Sequence, residues 1–163
     1  MEDILRSFGF LCLGSRMKRL GEQLQADTQR VLDRLDTRIQ SSQYPLLAAL
    51  DRLGPLPVGA LAQSIGVAQP GVTRSVALLA ELGLVEVSPS DDDQRRRIVS
   101  LSRSGRRLVE QAKRDVWPSI ENAVAGLCAD LSGPLLDQLA SIEDRLAATP
   151  LDRRAENTQA ATS

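Results

Sequence analysis

The chain has 163 residues, about one domain's length, and its 42% apolar content can build a core that has to be aliphatic, since Phe8, Phe10, Tyr44 and Trp117 are its only aromatic residues. The formal net charge of −1 excludes a polycation that binds polyanions through a global field; any such surface must be a local patch. There is no histidine, no phosphate-binding loop and no clustered carboxylate pair, so Ser-His-Asp and Cys-His catalysis, most zinc sites and an enzymatic role in general are not expected, nor is any metal or cofactor.

Cys12 and Cys128 stand alone without a C-x-x-C partner, which fits a reduced cytoplasmic chain. The apolar run from Phe8 to Leu13 is too short to span a membrane, and the acidic Glu2 and Asp3 before it are unlike a secretory leader.

Residues 4–39 carry helical periodicity through Leu13, Met17, Leu20, Leu24, Val31 and Leu35, with a break or close packing expected near Gly9, Gly14 and Gly21. Ser41 and Ser42 precede a second helix whose inner face is Leu46, Leu47, Leu50 and Leu53, stopped by Gly54, Pro55 and Pro57. A third helix starts near Val58, turns Leu61, Ala62 and Ile65 inward and closes at Gly66. A fourth opens at Gln69–Pro70, buries Val72, Val76, Leu79 and Leu82, and stops at Gly83. Leu84, Val85 and Val87 then read as a strand, residues 88–94 as a turn, and Arg97 to Leu101 as a second strand. Ser102 or Ser104 caps a long helix through Leu108, Ala112, Val116, Ile120, Val124 and Leu127, which Pro118 should kink. After Ser132, Gly133 and Pro134 comes a last helix with Leu135, Leu139, Ile142 and Leu146 in one stripe, and then a polar tail.

The expected class is mainly α with a small β-hairpin wing: a winged helix-turn-helix flanked by N- and C-terminal dimerisation helices. The expected segments are an N-terminal dimerisation helix in residues 1–40, a winged helix-turn-helix in 41–105, C-terminal dimerisation helices in 106–149 and a flexible tail in 150–163. The long terminal helices cannot all bury their stripes on the small middle part, which points to a homodimer with those helices intertwined about a two-fold axis.

The helix, turn, helix, strand, arginine-rich hairpin order of residues 56–105 places a helix in a DNA major groove and a basic loop beside it. On the fourth helix Gln69, Thr73 and Arg74 lie away from the apolar face; Gln pairs with adenine, Arg with guanine, and Thr bonds a phosphate or touches a thymine methyl. Pro70 and Gly71 keep the helix tip slim enough for close approach. Arg95, Arg96 and Arg97 form the basic hairpin, with Arg95 suited to the minor groove and Asp93 placed to fix its direction. The alternative to a DNA surface is a winged-helix protein-interaction module, in which these are solvated polar positions.

The run from Leu47 to Gly105 resembles the winged-helix regulators of the multiple-antibiotic-resistance (MarR) family. The resemblance rests on LAQSIGV, VTRSVALLAELGLVE and D-x-R-x-x-x-V-x-L-S-x-x-G, present as Asp93, Arg95, Val99, Leu101, Ser102 and Gly105. It implies a homodimer on a palindromic operator in double-stranded DNA, usually repressing nearby genes. DNA contacts would come from Gln69, Thr73 and Arg74 and from Arg95 in the wing. The chain departs from the family at Ala68, Pro70 and Gly71, where a serine cap and first-turn hydroxyls are usual. The resemblance further implies release by a small aromatic or acidic ligand, for which Arg16, Tyr44 and Trp117 are the candidate residues. A second mode it raises is thiol oxidation at Cys12, with Arg16 one turn later and Lys18 nearby to favour the thiolate.

Overall fold

The computed structural model describes residues 2–33, 38–90, 97–151 and 153–154. The described chain is mostly helical, with one three-stranded antiparallel sheet in the order β1-β3-β2. It divides into two compact units, Met1–Ile120 and Glu121–Ser163.

The first unit begins with a short helix, α1 (Ile4–Ser7), capped by Asp3, whose carboxylate accepts from the Arg6 amide at 3.4 Å. Gly9, at φ 54°, ends it in a left-handed step that other residues rarely adopt, and a 3-10 helix (Gly9–Cys12) leads into α2 (Leu13–Leu32). The break expected in this region therefore falls at Gly9. Gly14 and Gly21 lie within unbroken helix with open space where a side chain would stand, so neither breaks nor tightens it. Arg19 reaches back from α2 to grip Asp3 with two nitrogens, at 3.1 and 2.8 Å. Leu35 lies outside the described residues.

The core is aliphatic. A 3-10 turn (Ser41–Gln43) leads into α3 (Tyr44–Leu53), which buries Tyr44, Leu46, Leu47 and Leu50. Leu53 was expected inward with them but is 55% exposed, because the last turn of α3 runs past the edge of the core before Gly54 turns the chain at φ 81°. Leu56–Pro57 forms β1, a strand the sequence pattern did not indicate; it pairs with Val99 and Ile98 of the wing. Then α4 (Val58–Ile65) buries Leu61 and Ala62, and α5 (Gln69–Glu81) buries Val72, Val76 and Leu79. Left-handed Gly66 and Gly83, at φ 68° and 69°, close the two helices as expected. The wing strands β2 (Val85–Pro89) and β3 (Arg97–Leu101) pair from Val85↔Leu101 at the base to Pro89↔Arg97 toward the tip.

Ser102 is the cap of α6 (Arg103–Asp115): its hydroxyl oxygen accepts from the Gly105 amide at 3.0 Å while its proton goes to the Gly83 carbonyl at 2.6 Å. The helix buries Leu108, Val109 and Ala112 in the same core as α3 and α5, and Leu32 and Ile39 join them. The core thus draws on the expected N-terminal, winged-helix and C-terminal segments at once. The kink expected at Pro118 is a full break. α6 ends at Asp115, Val116 leaves helical geometry at φ −127°, and α7 (Trp117–Cys128) starts anew with the proline in its first turn.

In the second unit Gly133, at φ 81°, turns the chain into α8 (Leu135–Ala148), where Leu135 and Leu139 are half-buried and Ile142 and Leu146 exposed. Leu151, Arg153 and Arg154 are still helical, within the stretch expected to be tail, and the Arg154 guanidinium donates to the carbonyl of Thr149 at 2.8 Å. Asp152 and residues 155–163 lie outside the described residues.

Two outcomes follow. A Cβ at Gly105 would stand 2.0 Å from the Leu84 carbonyl oxygen, which is backbone and cannot move aside, so Gly105→Ala should destabilise the fold by about 3 kcal/mol in denaturant titration. The Arg19 hydrogen bond, with further help from its charge and from Arg6, holds the Asp3 carboxyl below its ordinary value. A depressed carboxylate contributes above its ordinary pKa of 3.8 and loses that contribution as pH falls through the lowered one. Amide shifts of residues 4–7 should therefore titrate below pH 3.8 in the wild type and move back up toward it in Arg19→Gln.

Candidate nucleic-acid interface

The two helices of the central motif are joined by a turn that needs no side-chain cap. Gly66 and Val67 amides return to the carbonyls of Gln63 and Ala62 at 3.3 and 3.1 Å, and Ala68 leads extended into α5. Without a hydroxyl at position 68, the first amides of α5 have no side-chain acceptor among the described residues. Pro70 removes one of those donors, and nothing lies within 4 Å of where a Cβ on Gly71 would stand. The tip is accordingly slim and open.

Thr73 and Arg74 are both exposed on the outer face of α5. Arg74 makes no ion pair with any described residue, so its guanidinium is available. Thr73 is differently placed from the expectation: its hydroxyl donates back to the Gln69 carbonyl at 3.0 Å. With that proton committed, its methyl group rather than a phosphate bond is the contact it offers. Gln69 does not project freely forward either. Its side-chain oxygen lies 3.4 Å from the point a Cβ on Gly59 would occupy, folded back over the first turn of α4.

Arg97 is the described member of the arginine run. It is exposed at the outer end of β3, opposite Pro89, and free of ion pairs with described residues. Arg97 and Thr73 line a single cavity of about 490 Å³ together with Pro57, Val58, Gly59, Ala60 and Gln63. The wing, the outer face of α5 and the start of α4 therefore share one concave surface, with a guanidinium at its rim. Asp93, Arg95 and Arg96 lie outside the described residues.

A model of the MarR family matches residues 39–96, the stretch that contains α3, α4, α5 and the first wing strand. An uncharacterised helix-turn-helix transcriptional regulator of Mycobacterium leprae (strain TN) is 36% identical over 101 residues, covering 59% of this chain and 71% of the relative. A helix-turn-helix transcriptional regulator from Mycobacterium tuberculosis (strain CDC 1551 / Oshkosh) matches to the same extent.

The chain belongs to the MarR family.

Solved MarR-family folds agree across almost the whole molecule. A cysteine-to-serine mutant of Escherichia coli MarR, complexed with operator DNA, superposes with a TM-score of 0.68 at 21% identity, covering 91% of this chain and 99% of that one. The Mycobacterium tuberculosis regulator MosR, in complex with DNA, gives 0.70 at 22% identity over 86% and 99%. This chain is thus a MarR-family transcriptional regulator with a winged-helix fold.

Tyr44 is 6% exposed within the core, and Trp117 packs against that core from α7's first turn. Arg16 is half-buried on α2 and makes no hydrogen bond or ion pair with described residues. None of the three lines the wing-side cavity or the cavities beside α8. Cys12 is half-buried at the start of α2, its thiol without a hydrogen-bond partner among the described residues, and Lys18 pairs with Glu22 at 3.8 Å. Cys128 lines an apolar cavity of about 520 Å³ within the second unit, beside Val124 and Leu135. No cluster of metal-ligating residues occurs among the described residues.

Proposed function

We propose that this regulator is a homodimeric repressor that reads a palindromic operator in double-stranded DNA. The N-terminal half of α5 would enter the major groove and the arginine wing (Arg95, Arg96, Arg97) would flank it. The observation that carries this reading is the shared cavity of Thr73 and Arg97: recognition helix and wing present one surface to a duplex, with Arg74 beside it. Arg74 is the residue assigned to a guanine edge, and Arg97 to a backbone phosphate. Thr73 contributes its methyl, while Pro70 and Gly71 admit the helix tip close to the bases.

The pairing of two copies is supported by apolar side chains that the chain leaves in water. Phe10 and Leu11 are 92% and 83% exposed in the N-terminal elements; Leu127 and Leu136 are 68% and 79% exposed in the C-terminal ones. Burial of such a side chain stabilises by roughly 1.5–3 kcal/mol, so a second copy covering both sets is strongly favoured. A two-fold dimer presents its recognition helices to half-sites about 34 Å apart, one duplex turn. Release by a small aromatic or acidic ligand belongs to the same reading; Tyr44 and Trp117 serve the core, and no residue is assigned to hold it.

Footprinting and anisotropy titrations on the gene's own upstream DNA test this. The expected result is a palindromic footprint, bound by a dimer, with affinity falling steeply between about 50 and 200 mM salt. Arg74→Ala should weaken binding roughly 10- to 100-fold and relax base preference at one position per half-site. Arg97→Ala should weaken binding to all sequences alike and lower the salt slope by about one per protomer. A monomer with no salt-linked duplex binding would replace this reading with that of a protein-interaction module.

A further inference from the structure

Among the described residues, Gln29 makes the most bonds to the connection between α2 and α3. Gln29, half-buried near the end of α2, accepts the Ser41 amide on its side-chain oxygen. Its nitrogen donates to the Ile39 carbonyl at 3.4 Å and to Asp33 at 2.8 Å. The Ser41 hydroxyl adds a bond to the Gln25 carbonyl at 3.1 Å, and Gln40 and Gln43 close a reciprocal cap on the same turn. Two backbone groups in this return stretch, one acceptor and one donor, thus find their partners on a single primary amide. A primary amide supplies both on separate atoms of one group, whereas a carboxylate lacks the donor and an ammonium lacks the acceptor. On either side of the connection Leu32 and Ile39 are each 2% exposed, anchoring its two ends in the core.

The position of this clasp gives it consequence. Among the described residues α2 meets the winged-helix part through the Ser41–Gln43 turn and, at its last residue, through Leu32 in the core, whereas α3 packs directly on α4, α6 and β3. On its outer side α2 carries exposed Met17 and Leu20. The segment that presents apolar surface and the segment that presents α5 therefore meet at the turn that Gln29 holds and at Leu32 beside it.

We infer that Gln29 is a positioning residue: it fixes the angle between α2 and the winged helix, and so sets the half-site spacing that the dimer accepts. The inference rests on the dimeric operator reading above. Each base pair inserted between half-sites moves one of them by about 3.4 Å and rotates it about the duplex axis, so a stiff joint rejects altered spacing and a loose one tolerates it.

The test uses the full-length protein and the duplex found by footprinting, remade with the central spacer lengthened or shortened by one and two base pairs. Gln29→Met keeps the side chain's length and helix propensity and removes both hydrogen-bonding functions. The expected wild-type profile is sharp, with a loss of about tenfold or more at one base pair off. The Gln29→Met profile should be flat to within a few-fold, with sedimentation and thermal melting still showing a folded dimer. Gln29→Glu keeps the acceptor for Ser41 but loses the donor and sets a second negative charge beside Asp33, so its profile should broaden too. Identical spacing profiles in wild type and Gln29→Met overturn the inference. Should both variants fail to fold, hydrogen exchange of the wild type decides: a protected Ser41 amide is expected, and exchange at the unfolded rate overturns the clasp. A wild type that binds no duplex fails the functional reading itself, and this inference with it.

Discussion

The placement of the reading surface depends on one close contact, where the first turn of α6 presses against the turn that joins α5 to the wing. Ser102 donates its hydroxyl proton to Gly83 and its amide proton to Leu84, and the same hydroxyl oxygen caps Gly105. There is no room at Gly105 for even a methyl group. The end of the recognition helix, the base of the wing and the start of the next helix are thereby fixed at one point. From that point two elements run back toward the same edge. The helix from Leu82 to Thr73 rises nine residues, ~14 Å. The strand from Leu101 to Arg97 advances four residues, also ~14 Å. Because the two lengths agree, Thr73 and Arg97 arrive level and enclose one cavity although 24 positions separate them in the chain.

What the sequence made legible are the features whose cause is local. Gly66 and Gly83 end helices because a left-handed residue has to stand there. Pro70 fits a first turn, and Ser102 with Gly105 marks a cap followed by a close approach. The features that went unread have causes distant along the chain or finer than periodicity. β1 is two residues long and exists only because Val99 and Ile98 come beside it in the fold. Leu53 keeps the helical spacing of a core residue, but spacing does not say where the core stops. Pro118 gave the position of a disturbance, not its size; the helix breaks there because Val116 can leave helical geometry while remaining buried.

The reading surface divides in the same way. Periodicity placed Thr73 and Arg74 on the outer face of α5, and the structure leaves both exposed. It could not show that the Thr73 hydroxyl turns back to Gln69, or that Gln69 lies against α4, because both depend on side-chain rotation. With one side chain folded back and one hydroxyl already bonded, Arg74 is the freest of the three polar side chains considered on α5, as the proposed base-reading role requires.

A net charge of −1 sharpens the importance of that geometry. A strongly basic protein is drawn to DNA from any direction and tolerates loose placement, since its field reaches out to about a Debye length. Here the attraction has to come from a few guanidiniums on one edge, against acidic residues elsewhere of equal weight. Such charges act usefully only at contact distance, where an error of a few ångströms removes a phosphate or base contact altogether. The rigidity at Ser102 and Gly105 meets that requirement within one winged helix. In the proposed dimer, two winged helices on one duplex would impose it again at a longer lever arm, where a small change of angle at the α2–α3 connection is magnified at the helix tip. The placement of Gln29 at that connection, bonded to both sides, is what such a weakly charged reader needs.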